Sequence, residues 1–261
     1  MSDFIEKEIV RLQNKYGLVF VKPNTILISY PKSGRTWLRM MLAKLMNETY
    51  NKANNEKYEI FPALHDSYKQ IKERFKKDYK NLNIVFLHRH PADVAISHYK
   101  ELTTSGLSGL NDYDGTISDF IRSKVYGINK IIEYNNKWAE KGGNFNRFLI
   151  MSYYMLHNDP ATCLSAIAQI IEIPATKEYI ESSIEYGSFE NMKKIENGVG
   201  ENLLKNYKGN FGHGPGRVRV GKYNNYHNVL SKEDIEYVEE CMKNSLITYI
   251  YDDDNKENDD L

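Results

Sequence analysis

The run Tyr30-Pro31-Lys32-Ser33-Gly34-Arg35-Thr36-Trp37 gathers two cations, two hydroxyls and a glycine into one turn. The turn lies between a short apolar run and a helix-like segment, so it delivers those groups to a helix N-terminus. Unpaired N–H groups and the positive end of the dipole collect anions there. Gly34 permits close backbone approach, Ser33 and Thr36 add hydroxyl donors, and Lys32 and Arg35 supply charge. This is chemistry for holding a phosphate or sulfate. The GxxxxGK[ST] pattern of a Walker loop is absent, which argues against ordinary ATP or GTP hydrolysis. The plain alternative is a generic strand-to-helix turn with solvated cations.

A second constellation follows in Leu87-His88-Arg89-His90-Pro91-Ala92-Asp93-Val94-Ala95-Ile96-Ser97. Arg89 falls at the carboxyl end of another apolar strand, and Ser97 stands about two helical turns later. A guanidinium and a hydroxyl so placed can hold a second anion in the same crevice. Two anion sites suggest a ligand phosphorylated at two places. In the competing reading Arg89 pairs with Asp93 and Ser97 faces the sheet.

The elements that position these groups alternate. Residues 24–30 form an apolar strand, and 36–46 read as a helix with Trp37, Leu38, Met41, Leu42 and Leu45 at helical spacing. Strand 83–89 is followed by a helix with Pro91 at its first position, and strand 147–153 by a helix over 160–171. The pattern predicts a single α/β domain over 1–250, with a central parallel sheet covered by helices on both faces. Thr116 and Asp119 can open a long helix as a capping box, as can Ser231 and Asp234 a final one over 231–249. Between Ser188 and Ser231 the periodicity is lost. The segments 103–116 and 196–216 are candidate walls of a binding pocket, and the acidic tail 251–261 is expected to be disordered.

Composition narrows the function classes. Lys plus Arg and Asp plus Glu both number 35 in 261 residues, so no global field draws the chain to nucleic acid or an anionic membrane. The N-terminus lacks the apolar run of a signal peptide, and no window approaches the ~20 apolar residues of a membrane span. The two cysteines, Cys163 and Cys241, argue for a reducing, cytoplasmic setting. The histidines and cysteines show no metal-ligand spacing, so no metal is expected. Oligomeric state is not set by anything in the sequence.

Both phosphate motifs resemble those of the PAPS-dependent sulfotransferases, enzymes that use 3′-phosphoadenosine 5′-phosphosulfate (PAPS) and release 3′-phosphoadenosine 5′-phosphate (PAP). Positions 29–37 are similar to the family's TYPKSGTTW, and 89–99 to its RNPxDxxxSxY. The resemblance implies a nucleotide-kinase-like fold with a P-loop-like turn. It implies that Lys32, Ser33, Gly34, Arg35 and Thr36 hold the 5′-phosphosulfate, that Trp37 stacks on adenine, and that Arg89 and Ser97 grip the 3′-phosphate. Tyr153 falls where the family places a residue beside adenine. The family's C-terminal RKGxxGDWK is matched in part at 216–224, which assigns Arg217 and Arg219 to the donor; Val218 and Tyr223 depart from the pattern.

The family's histidine base lies in a Lys-x-His segment between the two motifs. Phe61-Pro62-Ala63-Leu64-His65-Asp66 occupies that interval, making His65 the candidate base, with His88, His90 and His98 behind it, while Lys32 can follow the charge that develops on the leaving group. The acceptor is read as a small molecule. Asp66, Tyr68, Asp112 and Tyr113 point to a polar one, for example an amine or guanidinium; in the other reading these acids face solvent. A nucleoside or small-molecule kinase and a non-catalytic PAPS-binding module stay open as alternatives.

Overall fold

The computed structural model describes residues 24–54, 63–104, 113–200, 202–203 and 224–249. Four parallel strands, β1 (Thr25–Ser29), β2 (Ala63–Leu64), β3 (Asn83–His88) and β4 (Arg147–Ser152), make a sheet in the order β2-β1-β3-β4. Parallel neighbours need long crossovers. Helix α1 (Arg35–Asn54) joins β1 to β2, α2 (Tyr68–Phe75) lies between β2 and β3, and α3 (Pro91–Thr103), α4 (Ile117–Arg122) and α5 (Ile128–Lys141) between β3 and β4. After β4 come α6 (Tyr153–Asn158), α7 (Pro160–Ile171), α8 (Lys177–Tyr186), α9 (Phe189–Glu196) and α10 (Lys232–Met242).

The β1–β3 register pairs Ile26 with Ile84, Leu27 with Val85 and Ile28 with Phe86. Because strand side chains alternate, the pairs sort by face. Leu27, Val85 and Leu87 pack with Leu38, Met41, Leu45 and Ile167. Ile26, Ile28, Ile84 and Phe86 meet Phe75 and Trp138 on the other side. Both central strands are buried throughout, which is why they read as continuous apolar runs. β4 is an edge strand: among the described residues it pairs only with β3, and Ile150 is 39% exposed.

Three expectations about helices change. Thr116 and Asp119 do form a capping box, but the helix they open stops at Arg122 and a new one starts at Ile128. At the break, a Cβ on Gly127 would lie 2.4 Å from the Ser123 carbonyl oxygen, so the chain there needs glycine. The 188–231 stretch contains α9, which Ser188 caps by accepting from the Asn191 amide. The final helix ends at Met242 instead of reaching 249.

His88 and His90, 5% and 4% exposed, are both held neutral by burial, their pKa values pushed down to about 4 and about 3. The unfolded chain binds those protons near pH 6.5, so this stability is complete above 6.5 and is lost as pH falls towards the folded values. His90 Nδ1 caps α3 by accepting from the Ala92 amide at 3.3 Å. Asparagine can keep that cap without titrating. His90→Asn is therefore expected to remove up to about 1.4 kcal/mol per pH unit from the acid slope of stability. Urea midpoints for both proteins between about pH 7 and 5 check it.

Candidate active site

A crevice of about 720 Å³ opens where the strands end, lined by residues that follow each of the four. The registers explain the gathering. Ile28 pairs with Leu64, so the next residues along, Ser29 and His65, stand side by side, and His65 Nδ1 lies 2.7 Å from the Ser29 carbonyl oxygen. His88 pairs with Ser152, so Arg89 and Tyr153 are neighbours in turn, with the guanidinium 4.4 Å from the ring centroid. Parallel strands in register thus deliver His65, Lys32, Arg89 and Tyr153 to one end of the sheet, where α/β folds place their ligands.

The loop after β1 has the shape of an anion cradle. Lys32 and Gly34 adopt φ of 70° and 91°, and α1 begins at the Gly34 carbonyl, which accepts from the Leu38 amide at 3.2 Å. No acid occupies the first turn of this 20-residue helix, so its positive end is not offset locally. Ser33 is 1% exposed, and its Oγ makes no hydrogen bond among the described residues. A buried hydroxyl left in that condition is costly unless something else supplies a partner. Gly34 cannot be substituted without intrusion, since a Cβ would lie 2.5 Å from Tyr153 Cδ2. Arg35, Thr36 and Trp37 complete the lining on this side.

Arg89 and Ser97 both face the same crevice. Arg89 Nη1 donates to the Lys32 carbonyl at 3.4 Å, tying the end of β3 to the β1 loop. Its Nε stands 3.8 Å from Asp93 Oδ2, a looser contact than a hydrogen bond. The competing reading was half right: Arg89 does pair with Asp93, but Ser97 turns to the crevice. Burial raises the pKa of Asp93, against the opposing pull of Arg89 and the Asn224 amide, which donates at 2.9 Å.

Trp37, Tyr153 and His157 make an aromatic wall, with Trp37 centroids 5.5 Å from Tyr153 and 6.0 Å from His157. The indole is fixed at its other edge, donating to the Gly187 carbonyl at 2.7 Å.

His65 lies open to the crevice. A carbonyl only accepts, so Nδ1 carries the proton towards Ser29 and Nε2 keeps its lone pair. Desolvation first, and the Arg35 charge second, push its pKa down to about 4. The imidazole is neutral near pH 7 and can take a proton. The other candidates have structural places. His88 and His90 are buried, with His90 stacked on Tyr226 at 4.5 Å, and His98 packs edge-on against Phe120 and Tyr126.

Of the predicted acceptor residues, Asp66, Tyr68 and Tyr113 do not line this crevice. Asp66 is held by Arg74, whose Nη2 and Nε donate at 2.6 and 3.0 Å. Tyr68 packs edge-on against Tyr79, Trp138 and Phe145, and Tyr113 against Phe120 and Tyr126. Asp112, Arg217, Arg219, the 251–261 tail and most of both proposed pocket walls lie outside the described residues.

Sequence reasoning missed Glu101, Glu185, Gly187 and His157, all of which line the crevice. Two were within reach: Glu101 lies four residues after Ser97 and His157 four after Tyr153, and that spacing puts each pair on one helix face. Gly187 offered no signal, because it contributes a backbone carbonyl. Among the described residues no group of three or more His, Cys, Asp or Glu could hold a metal ion, and no helix is long and apolar enough to cross a membrane.

The profile of the family described as "Sulfotransferase domain" matches residues 22–249. An amine sulfotransferase from Oryctolagus cuniculus is 24% identical over 256 residues, covering 88% of this chain and 84% of that protein. Cytosolic sulfotransferase 15 of Arabidopsis thaliana is 23% identical over 265 residues, covering 85% and 72%. Among solved structures, a mouse sulfotransferase complexed with PAP superposes with a TM-score of 0.61 at 16% identity, over 94% of this chain and 90% of that one. A retinol dehydratase in complex with androsterone and PAP gives 0.63 at 16% identity, over 93% and 88%. The parallel sheet flanked by helices is thus the fold of these proteins.

Proposed function

The chain belongs to the sulfotransferase family, and we propose that its crevice transfers a sulfuryl group from PAPS to a hydroxyl or amine of a small, polar or cationic acceptor. The observation that carries this is the opening of two cation-bearing anion cradles into one crevice, with an aromatic wall and a neutral histidine beside them. Bound there, the donor supplies an activated sulfuryl group on a phosphate leaving group. The α1 N-terminus, Lys32, Ser33, Gly34, Arg35 and Thr36 hold its 5′ end. Arg89 and Ser97 take the 3′-phosphate, and Trp37 and Tyr153 flank the adenine. Arg217 and Arg219 are assigned to the donor on the resemblance.

His65 Nε2 accepts the acceptor's proton as the oxygen or nitrogen attacks in line with the breaking bond. The Lys32 ammonium stabilises charge on the leaving phosphate, a placement worth about 3 kcal/mol. No metal ion takes part in this scheme. A cationic acceptor draws support from the acids of the lining, Glu101 and Glu185, and from the amine sulfotransferase relative. Asp66, Tyr68 and Tyr113 lend this reading no support, since Asp66 pairs with Arg74 and the two tyrosine rings pack against other aromatics. A cytoplasmic location agrees with the relatives named cytosolic.

Calorimetric titration without magnesium tests the donor. PAP is expected to bind much more tightly than ATP or adenosine 5′-phosphate, and Arg89→Ala to weaken PAP by about 2–4 kcal/mol, the range for removing a charged partner. Equal or better binding of ATP would place a kinase reading first.

A further inference from the structure

Lys32 reaches into the crevice from the β1 loop, and its Nζ donates to Glu101 Oε1 at 3.0 Å, both side chains being partly exposed. Glu101 stands one turn beyond Ser97 on α3, so a single helix face carries both the proposed 3′-phosphate hydroxyl and this carboxylate. The field of Glu101 is also felt at His65, where it opposes the lowering by Arg35 and Lys32. The carboxylate therefore sits among the groups assigned to chemistry, yet repels both phosphates of a donor. Its sign suits a ligand that arrives in addition to the donor.

We propose that Glu101 is a donor-gated site for the acceptor's cation. The proposal rests on the donor reading above. In the structure Lys32 pairs with Glu101. A phosphosulfate in the β1 loop competes for the same ammonium, and the flexible lysine stem lets Nζ turn towards the stronger anion. As Lys32 leaves, the carboxylate gains affinity for another cation, and an ammonium or guanidinium on the acceptor supplies it. Donor and cationic acceptor then bind with positive coupling, and a neutral acceptor of the same shape gains nothing. Linkage makes the effect reciprocal: the cation must tighten the donor as much as the donor tightens the cation.

Glu101→Gln keeps the shape and removes the charge. PAP titrations are run with and without excess tyramine, with p-cresol as the uncharged counterpart. In the wild type, tyramine is expected to tighten PAP about 5- to 20-fold, within the usual range of coupling, and p-cresol to change it less than about twofold. In Glu101→Gln, PAP binds about 3- to 10-fold more tightly without any acceptor, because Lys32 no longer has to be drawn from a partner, and the tyramine effect disappears. A tyramine effect that is absent from the wild type, or survives in the variant, overturns the proposal. So does unchanged PAP affinity in the variant. Wild-type protein that fails to bind PAP at all marks a different failure, that of the donor reading, and takes this one with it.

Discussion

Replacing His65 with alanine is expected to lower kcat about 10²- to 10⁴-fold while leaving the Kd for PAP within about threefold. The split follows from the geometry. His65 hydrogen-bonds the backbone of Ser29 and brings no cation or hydroxyl to the proposed phosphate sites, so its loss removes a proton acceptor without removing a donor-holding group. The pH profile carries a second signature. In the free protein the imidazole stays neutral down to about pH 4, so the acid limb of kcat/KM falls well below the ordinary histidine value. Donor phosphates beside the ring favour its charged form and raise its pKa, so the acid limb of kcat should lie at higher pH than that of kcat/KM. Initial rates at limiting and saturating donor separate the two limbs. Retention of full activity in His65→Ala would move the base to His157, the other described histidine that lines the crevice.

The legibility of this site in the sequence was uneven for physical reasons. The central strands announced themselves because burial on both faces demands continuous apolar runs, and the β1 loop because anion binding demands cations, hydroxyls and glycine in a few adjacent positions. β2 was invisible: two residues, Ala63 and Leu64, cannot show a period, yet their pairing with β1 is what brings His65 beside Ser29. Asp66 and Tyr68 misled for the converse reason. A carboxylate near a candidate base reads as functional in one dimension, whereas Arg74, eight residues on, captures Asp66 once α2 folds back. Glu101 shows the limit of motif reading, since its partner Lys32 is 69 positions away and meets it only through the β3 register and the direction of α3.

Gly34→Ala should weaken PAP binding by at least about 10²-fold and cost roughly 1–3 kcal/mol of stability, more than any other single methyl group added to the loop. Two independent penalties meet at this position. At φ of 91° an L-residue is strained whatever surrounds it, and the new Cβ would lie 2.5 and 2.6 Å from two carbons of the Tyr153 ring. The ring has little room to withdraw, with the Arg89 guanidinium over one face and the tilted Trp37 ring 5.5 Å away. The loop must therefore shift, and the amides of the α1 N-terminus shift with it, out of the geometry that an anion would need. A double-mutant cycle with Tyr153→Leu divides the cost. If the contact matters, Tyr153→Leu recovers part of the stability lost in Gly34→Ala, the remainder being backbone strain that no change of neighbour relieves. Strict additivity would mean that the ring yields freely and that strain accounts for the whole loss. Thermal midpoints give the stability arm and PAP titration the binding arm, and the two need not recover together, since a smaller side chain at 153 also strips the adenine of its proposed neighbour.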